Sequence, residues 1–152
     1  MYLNIILKKG IMGFLDSIKG GFRLIKLDEK AASEIAKDPN STLYGWIFII
    51  IAGLANLFAS SVFSIFSPYQ SFLYGFLYYV ASGLLWIIVL HGLAKLFGGI
   101  SKLKEYFRAQ SHVLLLSWFS IFAAIKIPFV PEIVGWLITI WGTVMSIVVL
   151  KS

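Results

Sequence analysis

The chain has 152 residues, of which 59% are hydrophobic and only 13% charged, with a mean hydropathy of +0.88. Soluble domains carry roughly 25% charged residues, so the composition excludes an ordinary water-soluble fold and leaves one domain that buries its apolar surface against lipid and neighbouring helices. Thirteen Lys and Arg against seven Asp and Glu give a formal charge of +6; these bases flank apolar runs, which points to anionic lipid head groups and not to nucleic acid.

The expected class is all-α: a polytopic helical membrane protein with about four transmembrane helices in two hairpins, preceded by an N-terminal amphipathic helix. Residues 1–42 are expected to form a cytoplasmic N-terminal segment and residues 43–152 a helical membrane domain, with spans at about 43–66, 72–94, 110–126 and 133–150. Cysteine is absent, which removes disulfide and thiolate chemistry.

The first apolar run, MYLNIIL, is short and its Lys8 and Lys9 follow it, so it does not read as a cleavable signal. Met12 opens a second good start, MGFLDSIKGGFRLIKL, which makes residues 1–11 a candidate upstream extension. Phe14, Ile18, Phe22 and Ile25 recur at steps of four, four and three and share one helical face, with Asp16, Lys19, Arg23 and Lys26 largely elsewhere. This predicts an interfacial helix lying on the bilayer, with a kink at Gly20 and Gly21, each about 1 kcal/mol less favourable than Ala. Asp28 is placed to cap EKAASEIAK, which ends at DPNS because Pro39 disfavours helical geometry at Asp38.

Ser41 or Thr42 then caps the first span, and Leu43 to Phe66 runs 24 residues without a charge, where about 20 suffice to cross the hydrocarbon core. SPYQS breaks the run at Pro68, and Phe72 to Ala94 forms the second span. HGLAKLFGGISKLKEYFRAQSH, His91 to His112, is a wet, basic connector carrying Lys95, Lys102, Lys104 and Arg108 against Glu105. Gly98 and Gly99 fit a helix C-terminal cap better than a phosphate cradle. Val113 to Ile125 supplies only 13 residues, so the third span borrows Ala109 to His112, with Lys126 snorkelling beyond it. After KIPFVPE, Ile133 to Leu150 forms the fourth; a re-entrant hairpin of the last two spans is the alternative.

All of the thirteen bases except Lys126 fall on one side of such a four-span chain. The positive-inside rule therefore places both termini and the central connector in the cytoplasm, as a multi-pass protein of the cell membrane. Tyr44, Trp46, Tyr69, Tyr74 and Trp118 stand near the span ends as interfacial aromatics.

His91 and His112 stand at the cytoplasmic ends of spans two and three, too few for a metal site, which needs three or four ligands; no metal and no cofactor is expected. No Ser, His and carboxylate set, phosphate loop or HExxH motif is present, so the chain is not expected to be an enzyme and no catalytic residue is assigned. Phe14, Ile18 and Phe22 on the amphipathic face, and Lys102, Lys104 and Arg108 in the connector, are the candidate lipid or partner contacts, each base attracting anionic head groups by about 1 kcal/mol. The uncharged polar residues Asn56, Ser60, Ser61, Ser64, Ser82, Thr139, Thr143 and Ser146 suit helix contacts or a pore equally.

The lead-in GFLDSIKGGFRLIKL, the Asp38–Pro39 turn before the first span, LAKLFGG, the re-entering SKLKEYFRAQSH and the final IPFVPEIVGWLITIWGTVMSIVVLK together resemble the Yip family, membrane proteins first known as interactors of Rab GTPases. The resemblance covers the chain from about Met12 to the end. It implies a non-enzymatic membrane scaffold or adaptor whose cytoplasmic segments bind a protein partner or shape the bilayer. Family members usually have five spans, and the chain shows four, so the resemblance also implies a homo-oligomer in which a second subunit supplies the missing helix. A small oligomeric channel or transporter is the alternative function.

Overall fold

The structure, a computed structural model, describes residues 13–61, 68–96, 98–99, 101–124 and 129–151. Every regular element among them is helical: α1 Phe14–Ile25, α2 Glu29–Lys37, α3 Ser41–Ser61, α4 Pro68–Leu96, α5 Leu103–Val113, a 3₁₀ helix Leu114–Ala124, and α6 Val130–Lys151. The candidate upstream extension, residues 1–11, lies outside the described residues.

Three stretches, Ser41–Phe58, Leu73–Leu96 and Val130–Leu150, are long and apolar enough to cross a membrane. Large apolar side chains stand exposed along them, among them Leu43, Leu54, Phe58, Tyr74, Leu85, Leu96, Trp136 and Ile140. Exposed to water, a surface of this extent would drive association; around a bilayer it is the lipid-facing surface, and the chain is a multi-pass membrane protein.

The stretch of the third expected span changes helix type. Residues 110–126 do not make one uninterrupted α-helix: α5 ends at Val113 and the chain continues in 3₁₀ geometry through Ala124. The second half of α5 buries Arg108, Gln110, Ser111 and His112 among protein groups.

α3 is the central helix. Ser41, Phe48, Ile49, Ala52, Ala55 and Leu57 are buried, a stripe at helical spacing that faces α5 and the 3₁₀ helix, while Leu43, Trp46, Ile50, Leu54 and Phe58 face out. Gly45 allows the closest approach: a Cβ there would land on the Ser111 Oγ and stand 3.3 Å from the Phe107 ring. α4 is peripheral, with 6% of its span buried against 44% for α3.

The helix boundaries follow local chemistry. Asp28 caps α2 as expected, its Oδ1 accepting from the backbone N–H of Lys30 (3.0 Å) and Ala31 (3.2 Å). Between α1 and α2, Leu27 holds φ 64°, with the N–H of Asp28 bonded to the Arg23 carbonyl, a left-handed cap that usually takes glycine. Gly98 (φ 87°) and Gly99 form the equivalent cap on α4, donating to the Lys95 and Ala94 carbonyls, as the sequence predicts. Pro68 is the first residue of α4 and not the middle of a loop, because the first helical position needs no N–H. Ser41 opens α3 with its hydroxyl donating to Asp38 (3.1 Å), and the Asp38 carboxylate also accepts from the Asn40 N–H (3.3 Å), bracing the turn that leads into the helix.

Candidate functional site

At the end of the bundle where α1, α2, α3 and α5 meet, polar side chains are buried together. Ser17, Asp38, Ser41, Arg108, Gln110, Ser111 and His112 are all under 9% exposed. Buried polar groups are costly unless bonded, and here each has a protein partner.

α1 enters this junction by its small-residue face. Ser17, Gly20, Gly21 and Leu24, spaced three, one and three, are buried, whereas Phe14 (38%), Leu15 (70%) and Phe22 (46%) are exposed and Ile18 is half-buried. α1 is one continuous helix through Gly20 and Gly21. Gly21 has a packing role: a Cβ there would overlap the Leu115 Cδ1, so glycine permits the helix contact. Phe14 lies against Tyr44 and Phe48 of α3, with ring centroids 5.6 and 6.0 Å apart. At the other end the Trp141 indole of α6 donates to the Ile25 carbonyl (2.9 Å). α1 thus straps α3 to α6 across the start of the 3₁₀ helix.

His112 is the centre of the strap contact. Its Nδ1 lies 2.6 Å from the Arg108 carbonyl, which can only accept, so Nδ1 carries the proton and Nε2 accepts from the Ser17 hydroxyl at 2.6 Å. The Phe48 ring meets the imidazole edge-on at 4.7 Å. A hydroxyl on an oriented imidazole is also the geometry of an activated nucleophile. Both side chains are fully enclosed, however, so in this arrangement neither atom can meet a substrate, and the bond's evident role is to fasten α1 to α5.

Arg108 is placed differently from the sequence expectation. It is 8% exposed, and its Nε donates to Thr42 Oγ1 (2.8 Å) while an Nη donates to the Ala36 carbonyl (2.9 Å). It closes the C-terminal end of α2 onto the start of α3, where a cation also suits the helix dipole. Lys102 and Lys104 are exposed. Gln110 extends the network to α6, its Nε2 donating to Ser146 (2.7 Å) and its Oε1 accepting from Tyr106 (3.3 Å); burial pushes the Tyr106 phenol well above its usual pKa.

His91 and His112 take separate partners: His91 lies beside the Tyr106 ring, at a centroid distance of 5.5 Å. Among the described residues no group of three or more His, Cys, Asp or Glu is placed to hold a metal ion. On the outer side of the α1–α2 turn, Arg23 bonds both Asp28 (2.8 Å) and Glu34 (2.6 Å). The guanidinium, with the Ala31 N–H, holds the Asp28 carboxyl below its usual pKa.

Sequence reasoning had pointed to α1's larger apolar face and missed the buried one. The signal was present in the Ser17, Gly20, Gly21, Leu24 spacing. Nothing in the sequence pairs Ser17 with His112 or Gln110 with Ser146.

Membrane-length helices gathered around a polar junction at one end define a polytopic helical membrane protein. The family model of the Yip1 domain matches residues 24–152, and the chain belongs to this family. No curated protein and no solved structure matches the chain.

Proposed function

We propose that the protein is a non-enzymatic membrane scaffold or adaptor of the cell membrane, with α1, α2 and the start of α5 forming its cytoplasmic working face. The observation that carries this reading is the division of α1: its small face is locked into the bundle while Phe14, Leu15 and Phe22 point outward beside exposed Lys19 and Lys26. An amphipathic helix fixed in this way lies in the interface, apolar side in the acyl boundary and bases toward head groups. Lys102 and Lys104 add exposed positive charge. In this reading the chain crosses the membrane four times, both termini are cytoplasmic, and the third crossing is the 3₁₀ helix. At about 2.0 Å per residue its 11 residues reach about 22 Å, where an α-helix would reach only about 17 Å.

The test is purification from native membrane in mild detergent, with intact-complex mass spectrometry, comparing the natural chain with a Lys102→Glu, Lys104→Glu variant. A soluble protein bound in fixed ratio, and lost from the variant, supports an adaptor. A bare homo-oligomer with only lipid attached counts against it. A second reading, a small channel or transporter, is favoured by a cavity of about 290 Å³ between α4 and α6, lined in part by Gln110, Ser117, Thr139, Thr143 and Ser146. It requires solute flux in proteoliposomes, altered by substitution of Thr143. Asn56, the amide among the polar residues of the first span, donates to its own helix at Ala52 (2.9 Å).

A further inference from the structure

We infer that Leu114–Ala124 is an extensible crossing: it exchanges 3₁₀ for α-helical geometry as the surrounding bilayer thins, and so matches the protein to hydrocarbon thickness. This rests on the reading that the segment crosses the membrane.

The first observation is length. Runs of 3₁₀ beyond three or four residues are uncommon because their hydrogen bonds are poorer, yet this one holds 11 residues. Its neighbours are long, α3 with 21 residues and α6 with 22, or about 31 and 33 Å at 1.5 Å per residue. Against such neighbours an 11-residue crossing gains about 0.5 Å per residue in the 3₁₀ form, which brings its length closer to theirs.

The second observation is that stretching leaves polar groups without partners. Ser120 is 8% exposed and its Oγ has no hydrogen-bond partner, and the Trp118 Nε1 is also buried without one. On α6, Thr139, Thr143 and Ser146 each donate to the carbonyl four residues back, at 2.8 Å. In α geometry Ser120 gains the same partner, the Leu116 carbonyl, which the tighter 3₁₀ winding moves out of register. Stranded polar groups cost more in hydrocarbon, where no water replaces the missing bond. The stretched form is therefore held by its surroundings, and the α form is the better satisfied locally.

The third observation is that the change is conformationally small and has room. Leu114 joins α5 to the 3₁₀ helix at φ −67°, ψ −11° with no break, and the two helical forms differ mainly by about 15–20° in ψ. Cavities flank the contact with α6. One of about 410 Å³ is lined by Leu116, Phe119, Phe122, Leu137, Ile138 and Trp141, and the 290 Å³ cavity lies against Leu114 and Ser117. Rewinding sweeps side chains around the axis, and these spaces receive them.

The chain has no cysteine, so spin labels can be placed without background. A Leu103→Cys, Phe122→Cys pair, at positions 47% and 53% exposed, reports the segment's length by electron–electron distance measurement in phosphatidylcholine vesicles of graded acyl-chain length. A Leu73→Cys, Leu96→Cys pair reports α4 as a fixed reference and as a check that the protein is folded. The expected result is a shortening of about 4.5 Å from the thickest to the thinnest bilayer for the first pair, from nine residues at about 0.5 Å each, with the α4 pair constant. A constant first distance, or a parallel change in both pairs, overturns the inference. Labelling of Leu103→Cys and Phe129→Cys with a membrane-impermeant reagent separates the two levels. Reaction from the same face overturns the crossing and the inference together, whereas reaction from opposite faces with a constant distance overturns the inference alone.

Discussion

The hydroxyl of Ser17 on α1 donates to Nε2 of His112 on α5 across 2.6 Å, joining residues 95 positions apart in a fully buried contact. This bond and the contact of Gly21 with Leu115 beside it dock α1 against α5 and the 3₁₀ helix.

Replacing His112 by Ala removes the acceptor, leaves Ser17 facing a void and deletes the edge contact to Phe48. A loss of about 1–3 kcal/mol is expected from the stranded hydrogen-bonding group alone. Ser17→Ala is expected to cost less, since it removes only the small partner. Thermal unfolding in detergent measures the order of the two effects. Trypsin cleavage at Lys19, Arg23 and Lys26 should accelerate in both variants, and unchanged cleavage would show that α1 is held by other contacts.

Gly21→Val should undock α1 more effectively than any polar substitution. Its Cβ meets the Leu115 Cδ1, and Leu115 is 2% exposed with little freedom to retreat, so overpacking of about 1–3 kcal/mol is expected. Gly83 is the control: a Cβ there meets nothing within 4 Å, and Gly83→Ala should leave the melting temperature unchanged or raise it, since Ala is the better helix former by about 1 kcal/mol.

Arg108 and Lys104 should separate structure from surface charge. Arg108→Ala breaks bonds to Thr42 and the Ala36 carbonyl and is expected to destabilise by about 1.5–3 kcal/mol, the range for hydrogen bonds to charged groups. Arg108→Lys should recover only part of this, because an ammonium cannot reproduce the guanidinium fork. Lys104→Ala should leave stability unchanged while weakening attachment to anionic vesicles, as read by the salt dependence of binding of the solubilised protein.

The Arg23–Asp28 pair sets an acid limit on the α1–α2 turn. The Asp28 carboxyl lies below its usual value of 3.8, first through its bond to Arg23 and then through the Ala31 N–H. A carboxyl with a lowered folded-state pKa contributes stability that is complete above the unfolded value and is lost as pH falls through the folded one. Protection of the α2 amides from hydrogen exchange should therefore be flat from neutral pH down to about 5 and fall below about 4. In Asp28→Asn that acid-dependent step should shrink.

Much of the architecture was legible in the chain. Uncharged runs announced the membrane helices, Asp28 and the Gly98–Gly99 pair announced helix ends, and the ordered motifs announced the family. These signals are local or compositional, and hydrocarbon enforces them strictly because an exposed backbone has no water to turn to. The boundary error at Pro68 came from reading a helix-compatible Pro as if only one role were open to it.

The connector was harder. Lys102, Lys104 and Arg108 look alike in sequence, and the first two are exposed while the third is enclosed. Which base turns inward depends on the register of α5 against the Ala36 carbonyl and Thr42, partners 72 and 66 residues away. The short apolar run after His112 was expected to borrow Ala109 to His112, and its 3₁₀ geometry was not legible in the sequence.

Composition and periodicity thus decided the solvent, the helices and their approximate ends, since each depends on what a segment can satisfy alone. The inward face of α1, the pairing of Ser17 with His112, the fate of Arg108 and the geometry of Leu114–Ala124 were settled by long-range packing. There the competing local choices differ by only a few kcal/mol, and neighbours distant in sequence tip the balance.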